Sequence, residues 1–160
     1  MLNVKLVCVG KMKERFFVDA FDEYRKRLGA YCRFELLEIP EQRLGDNPSP
    51  REIELALERE RAELEKQLTP SAAVIAMCIE GNLMSSEGLA RRLSGFASSG
   101  KSRVIFIVGG SFGLSPEIKR RADLRLSMSP MTFPHHLARV MLCEQIYRAF
   151  TINEGGKYHK

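Results

Sequence analysis

The stretch Val104-Ile105-Phe106-Ile107-Val108-Gly109-Gly110-Ser111-Phe112-Gly113-Leu114-Ser115-Pro116-Glu117 reads as a buried strand running into a glycine-rich turn and then a capped helix. Five consecutive β-branched or aromatic residues suit a strand covered on both faces. The glycines permit a tight turn, and Ser115 before Pro116 and Glu117 is helix-start chemistry. A strand, a tight glycine turn and a helix form the unit at which α/β sheets bind ligands. Ser111 stands where the second glycine of a dinucleotide fingerprint would fall, which argues against classical NAD binding.

Working outward, Leu2 to Val9, Phe34 to Ile39, Ala73 to Ile79 and, more weakly, Leu124 to Met128 have the same strand character. Helices are expected between them. Phe17, Ala20, Phe21, Tyr24 and Leu28 recur at spacings of three and four. Pro50 opens a charged helix to about Gln67, Ser85 or Ser86 caps another to about Ala97, and a last one follows Pro134 to about Asn153. The alternation predicts one α/β domain over residues 1–160, with a mainly parallel sheet and helices on both faces. The segment Leu44 to Pro50 is turn chemistry and too short to divide domains.

The last helix carries Leu137, Val140, Met141, Leu142, Cys143, Ile146, Tyr147 and Phe150 around most of its circumference. Such a helix needs burial on two sides, and the expectation is a homodimer through it, with polar substitutions at Leu142 or Ile146 weakening association.

Composition narrows the function classes. The chain has 25 Lys and Arg against 20 Asp and Glu, net charge +5, which mildly favours a polyanionic partner. Residues 101–125 hold six basic side chains against two acids, so a nucleic-acid face is expected in the C-terminal half. Cys8, Cys32, Cys78 and Cys143 form no CxxC pair and read as free thiols of a reducing compartment, with no metal site. No apolar run reaches the ~18 residues a membrane span requires, and Leu2 to Val9 is too short for a signal peptide, so the expectation is a soluble, cytoplasmic protein with no membrane partner.

Gly95-Phe96-Ala97-Ser98-Ser99-Gly100-Lys101-Ser102 matches the phosphate-binding pattern GxxxxGK[ST] letter for letter. That loop works only when it follows a strand and opens a helix, where the dipole attracts anions. Here a helix precedes it and a strand follows, so ATP or GTP binding is not expected.

A second loop, Ser127-Met128-Ser129-Pro130-Met131-Thr132-Phe133-Pro134-His135, follows the weak fifth strand and mixes soft apolar side chains with hydroxyls. Such a lining suits adenine beside a thioether-like sulfonium. With Gly109-Gly110-Ser111-x-Gly113-Leu114, Met131-Thr132-Phe133-Pro134-His135, Tyr147-Arg148-Ala149, Tyr158-His159-Lys160, Val9-Gly10-Lys11 and Glu38-Ile39-Pro40, the chain resembles, over nearly its whole length, the ribosomal RNA large subunit methyltransferase H family of the SPOUT superfamily.

The resemblance implies an α/β knot (SPOUT), a trefoil in which the C-terminal segment threads through a loop, an exception to the rule that chains avoid knots. It implies S-adenosyl-L-methionine as cofactor, bound by Met77, Gly109, Met128, Ser129, Pro130, Met131, Thr132 and Phe133. It implies methylation of N3 of a pseudouridine in 23S ribosomal RNA, on assembled ribosomes. In the family an acidic residue often stands at the position of Cys78 and a basic one at that of Pro130; this chain departs at both.

The N3 proton of a uracil-like ring must leave around the time of in-line attack, so positioning and charge stabilisation are needed. The candidates are His159 as a titrating group, Arg148 opposite a developing anion, and Tyr158 as a stacking platform. Arg148 also stands four residues after Glu144, the spacing of a simple helix ion pair, and the residues alone leave both roles open. His135 is expected to cap or orient the last helix, and His136 to lie at its surface. The alternative from another class is a ribosome-binding assembly factor of the same fold that transfers nothing.

Overall fold

The computed structural model describes residues 1–160. The element order is β1 (Asn3–Val9), α1 (Arg15–Leu28), β2 (Arg33–Ile39), α2 (Pro50–Glu65), β3 (Ala73–Leu83), α3 (Ser86–Ser98), β4 (Arg103–Val108), α4 (Pro116–Arg121), β5 (Leu124–Ser127) and α5 (His135–Asn153). All five strands join one sheet in the order β2-β1-β4-β3-β5, every pair parallel.

Strand periodicity sorts the side chains onto two faces. Val4, Leu6, Cys8, Ala73, Ile75, Val104 and Phe106 share one core with α1, α3 and α5. Val7, Val9, Val74, Ala76, Ile105 and Ile107 share the other with α2 and α4. Local chemistry starts the helices where expected. Ser49 accepts from the Glu52 N–H in a reciprocal capping box, Ser85 accepts from Gly88, and Ser115 from Ile118. Cys8, Cys32 and Cys143 are buried free thiols, each pushed up to about 12 by burial.

Strand β3 runs four residues past the expected end at Ile79. Its ladder with β5 breaks after Met77 and resumes at Asn82 and Leu83. The polar, glycine-containing segment between signals a strand end locally, and only the neighbouring strand restores pairing beyond it.

Most of the apolar girdle of α5 finds its cover within the chain, while Leu137 and Met141 stay only partly buried and outside both core clusters. The helix packs on the sheet and lies along both α1 and α3. Tyr147 meets Tyr24 and Tyr31 at ring-centroid distances of 6.4 and 5.8 Å, and Phe150 meets Tyr31 at 6.3 Å. Leu142 and Ile146 are 1% and 0% exposed. Substituting them acts on folding before association. Ile146→Ala is expected to cost about 2–5 kcal/mol in urea denaturation, with no dependence on protein concentration beyond that of the parent. A wild-type midpoint would show that this packing carries no energy.

The phosphate-loop look-alike is the connection between α3 and β4. The backbone N–H of Lys101 bonds to the carbonyl of Phe96, and that of Gly100 to Ala97, so these amides close the C-terminal end of a helix. Lys101→Ala is expected to leave the chain's activity within about twofold of the parent, since neither a cradle nor a dipole faces an anion there.

Candidate active site

The C-terminal ends of β3, β4 and β5 open onto a cavity of about 800 Å³. The turns after β4 and β5 form opposite walls, the irregular part of β3 adds Cys78, Ile79 and Glu80, and Leu142 of α5 contributes from the helix side. Of the residues expected to hold a cofactor, Met77, Gly109, Met128, Ser129, Met131, Thr132 and Phe133 all line it. Pro130 does not; it is exposed and outside the lining, at the crest of the turn.

Each wall is held by its own local bonds. After β4, the chain folds back so that Gly110 and Gly113 form an isolated bridge, with Gly113 at φ +78°. A Cβ on Gly109 would stand 2.4 Å from the carbonyl oxygen of Gly113, and one on Gly110 would stand 2.6 Å from Oε1 of Glu41. After β5, the Ser127 hydroxyl donates to the carbonyl of Ser129 at 3.1 Å, and the Ser129 hydroxyl accepts from the N–H of Met131 at 3.0 Å. Backbone rims, apolar flanks at Met77, Leu126 and Leu142, and a volume within the ~300–1,000 Å³ of small-molecule sites fit an adenine nucleoside carrying a sulfonium.

Several residues that support this cavity have no signature in the sequence. Arg139 of α5 is fully buried. Its Nη1 donates to Glu38 at 2.6 Å and its Nη2 to the carbonyl of Gly10 at 3.0 Å. Glu38 also accepts from the N–H of Met12 at 2.8 Å, so one ion pair pins the ends of β1 and β2 to the start of α5. Glu41, just beyond, accepts from the Ser111 N–H at 3.0 Å and braces the glycine turn from outside the cavity. His136 bonds Glu14 at 2.8 Å, while neither histidine caps α5 by a side-chain bond. Burial, with the neighbouring His136 adding to it, lowers the His135 pKa, so the imidazole that lines the cavity is neutral near pH 7.

Arg148, Tyr158 and His159 come together, but elsewhere, and none of them lines the cavity. Glu144 is their centre. Its Oε1 accepts from Arg148 Nε at 2.9 Å, from Arg148 Nη2 at 2.5 Å and from the Tyr158 hydroxyl at 3.0 Å. The guanidinium lies 4.7 Å from the Tyr158 ring centre, and Tyr158 packs edge-on against Tyr147 at 4.8 Å. Arg148 Nη1 reaches His159 Nδ1 at 3.2 Å, and His159 Nε2 reaches Glu87 at 2.8 Å. Arginine can only donate, so Nδ1 is the acceptor and Nε2 carries the hydrogen. The helix ion pair and the contact with the tail thus coexist, and the tail is ordered by α5 and α3. Burial, with the Glu144 hydrogen bond second, pushes the Tyr158 phenol up to about 12. It remains a protonated donor throughout the neutral range.

Among known proteins, the family model described as "Predicted SPOUT methyltransferase" matches residues 2–159. A protein of Clostridioides difficile (strain 630) named ribosomal RNA large subunit methyltransferase H is 44% identical over 159 residues, covering 99% of this chain and 100% of that one. A protein of the same name from Bifidobacterium animalis subsp. lactis is 45% identical over the same shares. In structure, the chain is similar to a probable methyltransferase from Bordetella pertussis, with TM-score 0.60, 16% identity and coverage of 93% of this chain and 95% of that one. A probable methylase family protein from Haemophilus influenzae gives TM-score 0.57 at 12% identity, over 99% of this chain and 71% of that one. At these identities the structural likeness concerns the fold.

Proposed function

The chain belongs to the SPOUT methyltransferase family, and from that premise we propose that it transfers the methyl group of S-adenosyl-L-methionine to N3 of a pseudouridine in 23S ribosomal RNA, on assembled ribosomes. The observation that carries the reading is the convergence of Met77, Gly109 and the turn after β5 on one cavity at the strand ends. Membership also brings the knotted threading expected of the C-terminal segment.

When bound, the cofactor supplies an electrophilic methyl on a sulfonium. The backbone of the two turns would hold its adenine, and the apolar side chains of Met77, Leu126 and Leu142 would exclude water from it. Arg148 and Tyr158, both protonated at neutral pH, stabilise the anion left on the base once the N3 proton departs. The exposed Arg120, Arg121 and Arg125 beside the cavity offer charge to the RNA backbone.

Two subunits make one site in this reading. Arg148, Tyr158 and His159 lie outside the cavity of their own chain, so a homodimer through α5 that brings one tail to the partner's cofactor completes the constellation. Sedimentation at micromolar concentration is expected to give a dimer; a monomer would overturn the shared site.

The direct test incubates the protein with methyl-labelled S-adenosyl-L-methionine and ribosomes from a strain lacking the modification, then maps the label by mass spectrometry. A single labelled pseudouridine in the large-subunit RNA is expected. Cofactor binding without label on any ribosomal RNA would point instead to an assembly factor that transfers nothing.

A further inference from the structure

Two side chains that line the cavity at the strand ends have no part in the reading above. Of all its lining residues, only Glu80 and Lys119 carry a formal charge at neutral pH. Burial holds His135 neutral and pushes the Cys78 thiol up, so that it stays protonated. The backbone rims and apolar flanks suit the adenine and the sulfonium of the cofactor. Its third part is an amino-acid end, where an ammonium and a carboxylate share one carbon, and such an end asks for charge.

Glu80 and Lys119 come from different elements and meet at the cavity. Lys119 Nζ donates to Glu80 Oε1 at 2.5 Å, and that bond holds the Glu80 carboxyl below its ordinary range. Glu80 stands where the β3–β5 ladder is broken, between Met77 and Asn82. The backbone there lies so close to β5 that a Cβ on Gly81 would stand 2.8 Å from the carbonyl carbon of Arg125. Lys119 belongs to α4, and its carbonyl accepts from Nη1 of the same Arg125 at 3.2 Å. Both backbones are thus set against β5, which places the two charges side by side on the cavity wall.

An ion pair this open to water contributes little to folding: the Glu80 side chain keeps 60% of its exposure and that of Lys119 27%. Its chemistry is that of a receptor for a zwitterion. An ammonium and a carboxylate laid head to tail against a carboxylate and an ammonium make two charge-assisted contacts at once. The pair has no net charge, so it can hold the amino-acid end without repelling the sulfonium, as a lone lysine would.

We propose that Glu80 and Lys119 bind the amino-acid end of S-adenosyl-L-methionine, Lys119 its carboxylate and Glu80 its ammonium, and so distinguish the whole cofactor from adenosyl thioethers that lack that end. This rests on the methyltransferase reading above. Both residues belong to the subunit whose cavity is filled, so the assignment makes no demand on the tail that a partner contributes.

The test measures, by calorimetry on the full chain, how the parent, Lys119→Met and Glu80→Gln bind two nucleosides. S-adenosylhomocysteine carries the amino-acid end, and 5′-methylthioadenosine lacks it. The parent is expected to bind the first more tightly. Each substitution is expected to weaken S-adenosylhomocysteine about 5–20-fold, the loss of a charge-assisted contact discounted for exposure, and to leave methylthioadenosine within about twofold. Added salt should likewise weaken only the first. Loss of affinity for both nucleosides would show that the pair shapes the cavity wall, and unchanged affinity for both would put it out of the ligand's reach. Either result overturns the assignment while leaving the enzyme reading intact. A parent that binds neither nucleoside overturns both.

Discussion

Gly109→Ala is expected to lower cofactor affinity at least ~100-fold while leaving a folded protein. The added Cβ would lie 2.4 Å from the carbonyl oxygen of Gly113, 2.5 Å from its carbonyl carbon and 3.0 Å from its Cα. All three are backbone atoms, so no side chain can swing aside. Either β4 shifts at its last residue or the Gly110–Gly113 bridge opens. Both routes move the backbone rim of the cavity by an ångström or so, a displacement that commonly costs ~100-fold where a site depends on fixed donors. Gly109 is buried at the end of β4 beside Val108 of the core, so stability has to be followed together with affinity. Calorimetry with S-adenosyl-L-methionine, alongside thermal melting, separates the two effects. Binding within threefold of the parent would show that the turn tolerates a side chain and that the cavity does not depend on its closure.

Arg139→Leu is expected to destabilise the fold by about 3 kcal/mol, the lower end of the range for breaking a buried ion pair. The lower end applies because Glu38 retains 27% exposure and keeps some of its hydration. The loss also strips a donor from the carbonyl of Gly10. Because a lone buried charge is worse than none, Glu38→Gln combined with Arg139→Leu should recover part of the loss, and a double-mutant cycle in urea measures the coupling. The effect should spread to the active site. With Arg139 gone, the ends of β1 and β2 lose their tie to α5, and Glu41 loses the frame from which it braces Ser111. A cost under about 1 kcal/mol would mean the pair is positioned without stabilising anything.

Arg139 also shows where sequence reading stops. Its partners Glu38 and Gly10 lie 101 and 129 residues away along the chain, and nothing in the local pattern around His135–Asn153 marks one arginine among apolar neighbours as a core residue. Pro130 shows the opposite limit. Its place within the run Met128–Phe133 is legible, but a turn alternates which residues face a cavity, and that alternation is set by φ and ψ rather than by composition.

By itself the sequence determined the elements and their type. Runs such as Val104–Val108 read as buried strands, Pro50, Ser85 or Ser86, and Ser115 mark helix starts, and the order of strand, glycine turn and capped helix pointed to the strand ends as the place of a ligand cavity. These signals act within a few residues, where propensity and hydrogen bonding are local. Tertiary structure alone decided that most of the apolar surface of α5 is covered within its own chain, by α1 and α3, that the β3–β5 ladder resumes past its break, and that Glu144 gathers Arg148 and Tyr158 away from the cavity at the strand ends. Each of those depends on which distant surfaces meet. Apolar periodicity says that a face must be buried, and only the packing of the whole chain says against what.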